Sequence, residues 1–261
     1  MNFRFTETQL MIRNTARQFA NDELAPTVLE RDEKEEFPYD AVKKMGELGF
    51  MGMMVSEQYG GAGLDTISYV LALEEIGKVD ASACVIMSVN NSLVCWGLES
   101  FGTEEQKQKY LVDLASGKKL GAFALSEPEA GSDATNQRTT ATKDGDEYVL
   151  NGAKNFITNG AHADVVLVMA STDRSKGARG VSAFIVEKGT PGFSVAKKEK
   201  KMGIRSSDTV SLAFEDCRIP VVNRIGEEGF GIKLALKTLD GGRIGIATQA
   251  LAIAEASLDA S

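Results

Sequence analysis

Apolar positions recur at helical spacing through residue 117, at strand spacing from Gly121, and at helical spacing again from Gly229. In the first stretch Thr6-x-x-Gln9 fits a capping box ahead of Leu10, Ala16, Phe19, Ala20 and Leu24, and Pro26 kinks or interrupts that helix. Pro38 stands where a new first turn begins, and Gly49 follows a helix through Ala41, Met45 and Leu48. Tyr59-Gly60-Gly61-Ala62-Gly63 is a loop, after which Asp65 caps a helix whose apolar face includes Ile67, Val70, Leu71 and Ile76. Residues 81–98 are apolar almost all round, the mark of a buried central helix, and Thr103-x-x-Gln106 opens a further helix that stops near Gly117.

The run 121–125 has the length of a buried strand. Strand patterns follow at 139–142, 148–150, 155–158, 164–170, 181–186 and 210–214, with Asp144-Gly145 as a hairpin-type turn. The pattern predicts an α+β protein: an N-terminal all-α helical domain over 1–120, a middle antiparallel, β-barrel-like domain over 121–228, and the start of a C-terminal helical-bundle domain over 229–261. Residues 251–261 are an apolar helix with no Gly or Pro stop, so the chain reads as cut before the rest of that bundle, with apolar surface left to cover.

Composition narrows the classes. With 43% hydrophobic and 25% charged residues, the 261-residue chain is an ordinary soluble protein with a sizeable core. A net charge of −8 without a basic block argues against a nucleic-acid partner. No uninterrupted apolar run is long enough to span a bilayer, and residues 1–7 have neither an apolar signal core nor an Arg-rich transit character. Cys84, Cys95 and Cys217 form neither a metal-type cluster nor an even set for disulfides, which points to a reduced, cytoplasmic setting. The single histidine, His162, excludes a metal site built on several imidazoles, and no Gly-x-Ser-x-Gly elbow precedes a helix, so it reads as a loop histidine with a local hydrogen bond.

Three stretches carry candidate chemistry. In Phe123-Ala124-Leu125-Ser126-Glu127-Pro128-Glu129-Ala130-Gly131-Ser132-Asp133 a strand empties into a loop kinked by Pro128 and loosened by Gly131. The loop offers the Ser126 and Ser132 hydroxyls and nearby backbone N–H groups to a phosphate-bearing or heteroaromatic ligand. Gly152-Ala153-Lys154-Asn155-Phe156-Ile157-Thr158-Asn159-Gly160 alternates and then breaks, as a plain strand with a turn also does. Thr238-Leu239-Asp240-Gly241-Gly242-Arg243-Ile244-Gly245 sets adjacent glycines in a helical stretch, each about 1 kcal/mol less favourable there than Ala. A helix start or close helix packing accounts for that pattern as well as a ligand does. No Gly-x-Gly-x-x-Gly follows a strand, so the dinucleotide fingerprint is missing.

In order and spacing these stretches resemble the acyl-CoA dehydrogenase family, as do Tyr59-Gly60-Gly61, Ser88-Val89-Asn90-Asn91-Ser92, Lys201-Met202-Gly203-Ile204-Arg205 and Phe214-Glu215-Asp216-Cys217-Arg218-Ile219-Pro220. The resemblance covers essentially the whole chain and is closest to short-chain, butyryl-type members. It implies FAD as cofactor. Phe123, Leu125, Ser126, Gly131 and Ser132 then fall on flavin-contacting positions, with Phe156 against the isoalloxazine ring where many members carry Trp, Ile157 beside it and the Thr158 hydroxyl near flavin N5. Ser132 also approaches the acyl-CoA, which Asp240, Gly241, Gly242 and Arg243 contact, the glycines leaving room for it. Asn136 departs from the small residue usual at the end of the first signature.

The implied reaction is α,β-dehydrogenation of a short-chain acyl-CoA to the trans-2-enoyl-CoA, with electrons passed to an electron-transferring flavoprotein. A carboxylate removes the α proton, the β hydrogen leaves as hydride, and donors at the thioester carbonyl stabilise the developing charge. Gly242 matches the position at which isovaleryl-type and long-chain members carry that carboxylate. Short- and medium-chain members carry it much later, so the base is expected beyond Ser261, and Glu255 reads as solvated or ion-paired. The resemblance further implies a homotetramer for a full-length protein. The alternatives are a catalytically incomplete acyl-CoA- or flavin-binding fragment and an acyl-CoA oxidase.

Overall fold

A computed structural model describes residues 4–261; Met1, Asn2 and Phe3, the start of the stretch weighed against targeting signals, lie outside the described residues. The Thr6 hydroxyl accepts from the Gln9 N–H at 3.2 Å while the Gln9 side chain accepts from the Thr6 N–H at 3.0 Å, and this capping box starts helix α1, Glu7–Phe19. A π-helical turn, Ala20–Leu24, carries the chain toward Pro26, and two shorter helices follow, α2 Val28–Lys34 and α3 Tyr39–Glu47. Asp65 caps α4, Thr66–Val79, by accepting from the Ser68 N–H at 2.8 Å. The buried stripe of α4 runs through Tyr69, Ala72, Leu73 and Ile76, an i, i+3, i+4, i+7 set. Ile67, expected on the inner face, is 52% exposed because that stripe turns it outward.

The central helix α5, Ala81–Phe101, is 21 residues long and apolar enough to cross a membrane by length and composition, yet most of it is buried inside the protein. Its middle, Val89–Cys95, is π-helical, which the sequence pattern did not announce. Helix α6 spans 104–115 behind a second capping box, Thr103 with Gln106.

The middle region is one eight-stranded sheet: β1 Gly121–Ala124, β2 Thr140–Asp144, β3 Glu147–Thr158, β4 Val165–Ser171, β5 Val181–Glu187, β6 Phe193–Lys198, β7 Thr209–Pro220 and β8 Arg224–Ile225. Its order is β6-β7-β3-β2-β4-β5-β8, with β1 beside β4. Pairing is antiparallel except that β1 runs parallel to β4 along its length and β2 meets β4 in parallel at one residue pair. The two strand patterns at 148–150 and 155–158 belong to one strand, β3, broken in register between Leu150 and Gly152 and again between Lys154 and Ile157. Strands β6 and β8 were absent from the pattern, β6 because it is largely exposed and β8 because it is two residues long.

Strand β1 lies directly on α5. A Cβ at Gly121 would come within 2.5 Å of Val94, so glycine is what permits the approach. Asn90 accepts from the Gly121 N–H at 2.9 Å and Asn159 donates to the Gly121 carbonyl at 3.1 Å, fixing the strand from both sides. The chain then enters a single 29-residue helix, α7 Gly231–Asp259, which runs unbroken through Gly241, Gly242 and Gly245. The three cysteines are free and buried; burial pushes the Cys84 thiol up to about 12 and the Cys217 thiol to about 11, as suits packing residues.

Candidate functional site

Phe123 and Leu125 alternate onto the face of β1 that packs against α5, in one core cluster with Val94, Leu98 and Leu167. Beyond them the Ser126 carbonyl accepts from the Asn155 N–H at 2.9 Å, so the first two candidate stretches are joined by a backbone hydrogen bond. Phe156 sits in the β3 bulge with φ of +59° and is 66% exposed. A left-handed backbone is disfavoured by about 1–2 kcal/mol for a residue with a Cβ, and a large exposed aromatic held this way is a feature of ligand clamps. Thr158, half-buried, closes β3 opposite Thr209. Among the described residues the hydroxyls of Ser126, Ser132 and Thr158 make no hydrogen bond within the chain. Ser132 and Gly131 are exposed, and a Cβ at Gly131 would meet nothing within 4 Å. An exposed ring, three free hydroxyls and an open loop suit a planar heteroaromatic ligand with polar edges.

The bulge turns the Ile157 side chain into the core on the opposite face of the sheet, where it is 2% exposed, so its backbone is the part left to serve a ligand.

Beneath this site lies a network that sequence reasoning missed. The Lys154 ammonium is fully buried and donates to the Leu125 carbonyl at 3.2 Å, to Glu127 at 2.7 Å and to the Gln137 side-chain oxygen. Glu127, also buried, accepts from the backbone N–H groups of Arg138 and Thr139. Burial lowers Lys154 to about 8 despite the facing carboxylate. Burial by itself raises Glu127, but the Lys154 charge and its hydrogen-bond donors outweigh that and hold it below its ordinary value. One signal was available: Lys154 has the same parity along β3 as the inward Tyr148 and Leu150.

On α7 the glycines divide. A Cβ at Gly242 would stand 2.8 Å from Leu93, and one at Gly245 would stand 2.4 Å from the Ser88 hydroxyl and 2.9 Å from that of Tyr69. Close packing on α5 and α4 accounts for both. At Gly241 the nearest atom would be the Ser92 carbonyl oxygen at 3.9 Å, which leaves space. Leu93 and Leu239 pack on the core cluster that holds Phe123 and Leu125, so this part of α7 converges with β1. Asp240 and Arg243 instead face solvent and bridge each other at 2.8 Å. They border a groove of about 520 Å³ that also presents Arg179, Lys233 and Lys237, a cationic lining suited to an anionic ligand.

Glu255 pairs with Lys78 at 2.9 Å, and Lys78 also meets Glu74 and Glu75, so Glu255 is an ion-pair partner in the α4–α7 contact. His162 hydrogen-bonds the Tyr39 hydroxyl and packs on the Phe37 ring at 4.1 Å, and burial lowers its pKa. No cluster of His, Cys, Asp or Glu able to hold a metal occurs among the described residues.

Residues 6–118 match the family described as acyl-CoA dehydrogenase, N-terminal domain, and residues 122–217 match acyl-CoA dehydrogenase, middle domain. The chain is 53% identical over 259 residues to a short-chain specific acyl-CoA dehydrogenase of Clostridium acetobutylicum, covering 99% of the chain and 68% of that protein. It is 54% identical over 253 residues to the mitochondrial short-chain specific acyl-CoA dehydrogenase of Rattus norvegicus, covering 97% and 61%. Among solved structures, butyryl-CoA dehydrogenase from Megasphaera elsdenii superposes with a TM-score of 0.96 at 50% identity, over 99% of the chain and 69% of its own. A chain in a structure described as the electron transferring flavoprotein of Acidaminococcus fermentans gives 0.98 at 54%, over 99% and 68%. The chain thus spans between 61% and 69% of the length of these relatives.

Proposed function

The chain belongs to the acyl-CoA dehydrogenase family, FAD-dependent oxidoreductases acting on CH–CH bonds, and from that premise we propose that it acts in the dehydrogenation of short-chain acyl-CoA thioesters to trans-2-enoyl-CoA, passing electrons to an electron-transferring flavoprotein. The observation that carries the reading is the junction of Ser126 with Asn155, which joins the loop hydroxyls to an exposed, left-handed Phe156. When bound, FAD supplies the hydride acceptor. The chain's own residues do the rest: Phe156 offers a flat apolar face to the ring system, and Thr158, Ser126 and Ser132 offer hydroxyls to its polar edge. Gly241 leaves room for the acyl portion beside α5, and the cations near Arg243 match the phosphates of coenzyme A. No described carboxylate is assigned as the base: Gly242 has no side chain and Glu255 is engaged by Lys78.

Short-chain preference is supported by relatives bearing that name, and the partner by the flavoprotein structure that holds a similar chain. The same reading includes a homotetramer and a reducing, cytoplasmic setting, the latter consistent with three free buried thiols.

The test is an anaerobic titration of the FAD-incubated chain with butyryl-CoA and then octanoyl-CoA, followed in the visible flavin band. We expect FAD to bind and butyryl-CoA to perturb the band at lower concentration than octanoyl-CoA. Bleaching by butyryl-CoA would place the base within these residues. A shift without bleaching favours a flavin- and acyl-CoA-binding fragment. Rapid reoxidation in air with release of peroxide favours an oxidase, and a chain that takes up no FAD defeats the assignment.

A further inference from the structure

Every polar atom that the Lys154 ammonium reaches lies on the loop 125–139: the Leu125 carbonyl at its start, Glu127 in its first turn and Gln137 near its end. Glu127 in turn takes the N–H groups of Arg138 and Thr139, where the loop returns to the sheet. One buried ion pair therefore gathers both ends of the loop at a single point on β3. That point is two residues before Phe156 and next to Asn155, whose N–H already holds Ser126. A buried ion pair contributes little net stability compared with an apolar pair of the same volume, because desolvation offsets most of the attraction. Its directional bonds do fix geometry.

We propose that Glu127 and Lys154, with Gln137, are positioning residues for the flavin site: they hold the loop against β3 so that Ser126 and Phe156 keep one separation before any ligand arrives. This rests on the flavin reading of the site. A loop already ordered loses less conformational entropy on binding, so removing the network weakens FAD binding even where the fold survives.

The experiment uses the whole chain with three variants: E127Q, E127Q/K154M and Q137A. Amide hydrogen exchange without cofactor reads the order of the loop at Arg138 and Thr139, and flavin fluorescence quenching reads FAD affinity. In E127Q we expect protection at both amides to fall at least tenfold. In E127Q/K154M the buried charges are gone together, so the thermal midpoint should return close to that of wild type while FAD affinity stays at least tenfold weaker. That split separates positioning from a merely structural role. Q137A leaves the ion pair intact and keeps the test open if the double variant does not fold; protection and FAD affinity should fall together, by about threefold or more. A folded double variant, or Q137A, that binds FAD as tightly as wild type overturns the proposal and leaves the flavin reading standing. Unchanged protection at Arg138 and Thr139 in E127Q overturns it as well. A wild-type chain that takes up no FAD defeats the flavin reading and the positioning role with it.

Discussion

The loop-and-strand region around Phe156 and the helix α7 are held in place by opposite means. Around Phe156 the backbone is bent and irregular, and directional bonds fix it: Asn155 to Ser126, Lys154 to three acceptors, Glu127 to two amides. On α7 the backbone is regular and the buried face is uncharged: Ile232 and Leu234 near its start, then Thr238, Gly245, Thr248, Gln249 and Ala252. Several large apolar residues, Leu236, Ile246, Leu251 and Leu258 among them, face outward. The first region answers to charge and hydrogen bonding, the second to the size of a few side chains. Substitutions that alter one property at a time should therefore separate them.

The largest effect is expected in the first region. Glu127→Gln leaves a fully buried ammonium without its counter-charge and should destabilise the chain by about 3–5 kcal/mol, read by urea unfolding. The same pair has a pH signature. Lys154 titrates near 8 in the folded chain and near 10.5 unfolded. Below about pH 8 both states hold the proton and its contribution is flat. Between about 8 and 10.5 the unfolded chain keeps a proton that the folded chain has released, so this group makes stability rise with pH, and the rise is complete above 10.5. Compared over that window, wild type should gain stability relative to E127Q/K154M; a constant difference would remove Lys154 as a depressed, buried titrating group.

A steric change of one methyl should dominate on α7. In Gly245→Ala the new Cβ meets Ser88 and Tyr69, both on well-packed helices, and the overpacking should destabilise by about 1–3 kcal/mol in thermal or urea unfolding. Ser88→Ala removes the closer obstacle, so the double variant should be more stable than the sum of the single changes. Additivity would mean that α7 is not seated through this contact.

The division also governs what could be read from sequence. Both capping boxes, the Asp65 cap and the buried helix over 81–98 depend on local spacing, and each appears where the spacing puts it. The motifs near Ser126 and Phe156 were legible as motifs, but their meeting depends on a bulge that no alternation encodes. The bulge also reverses Ile157 into the core. Parallel pairing of β1 with β4 joins residues more than forty positions apart, and the π-helical turn in α5 is set by its neighbours, so neither leaves a periodic trace. Lys154 is a middle case: its parity on β3 marked it as inward, and only the fold supplied Glu127 and Gln137 as its partners.

Phe156→Gly tests whether the bent strand stores strain for binding. Glycine relieves the left-handed penalty of about 1–2 kcal/mol but adds freedom to the unfolded chain, and little packing is lost because the ring is mostly exposed. The unliganded chain should gain about 1 kcal/mol while FAD affinity falls. A loss of stability would show that the ring packs on the protein and is not reserved for a ligand.

The smallest effect sharpens the contrast between adjacent glycines. At Gly241 an added Cβ would be in ordinary contact distance of the Ser92 carbonyl oxygen, with nothing nearer. Gly241→Ala should therefore stabilise α7 by up to about 1 kcal/mol through helix propensity alone, a small rise in the thermal midpoint. Gly242→Ala should gain less, because its Cβ must displace the Leu93 side chain. If the space at Gly241 belongs to the acyl portion of the substrate, the same alanine that raises the midpoint should weaken butyryl-CoA binding in the flavin titration. A stabilised chain with unchanged butyryl-CoA affinity would leave Gly241 as a gap in helix packing and move the acyl site elsewhere along α7.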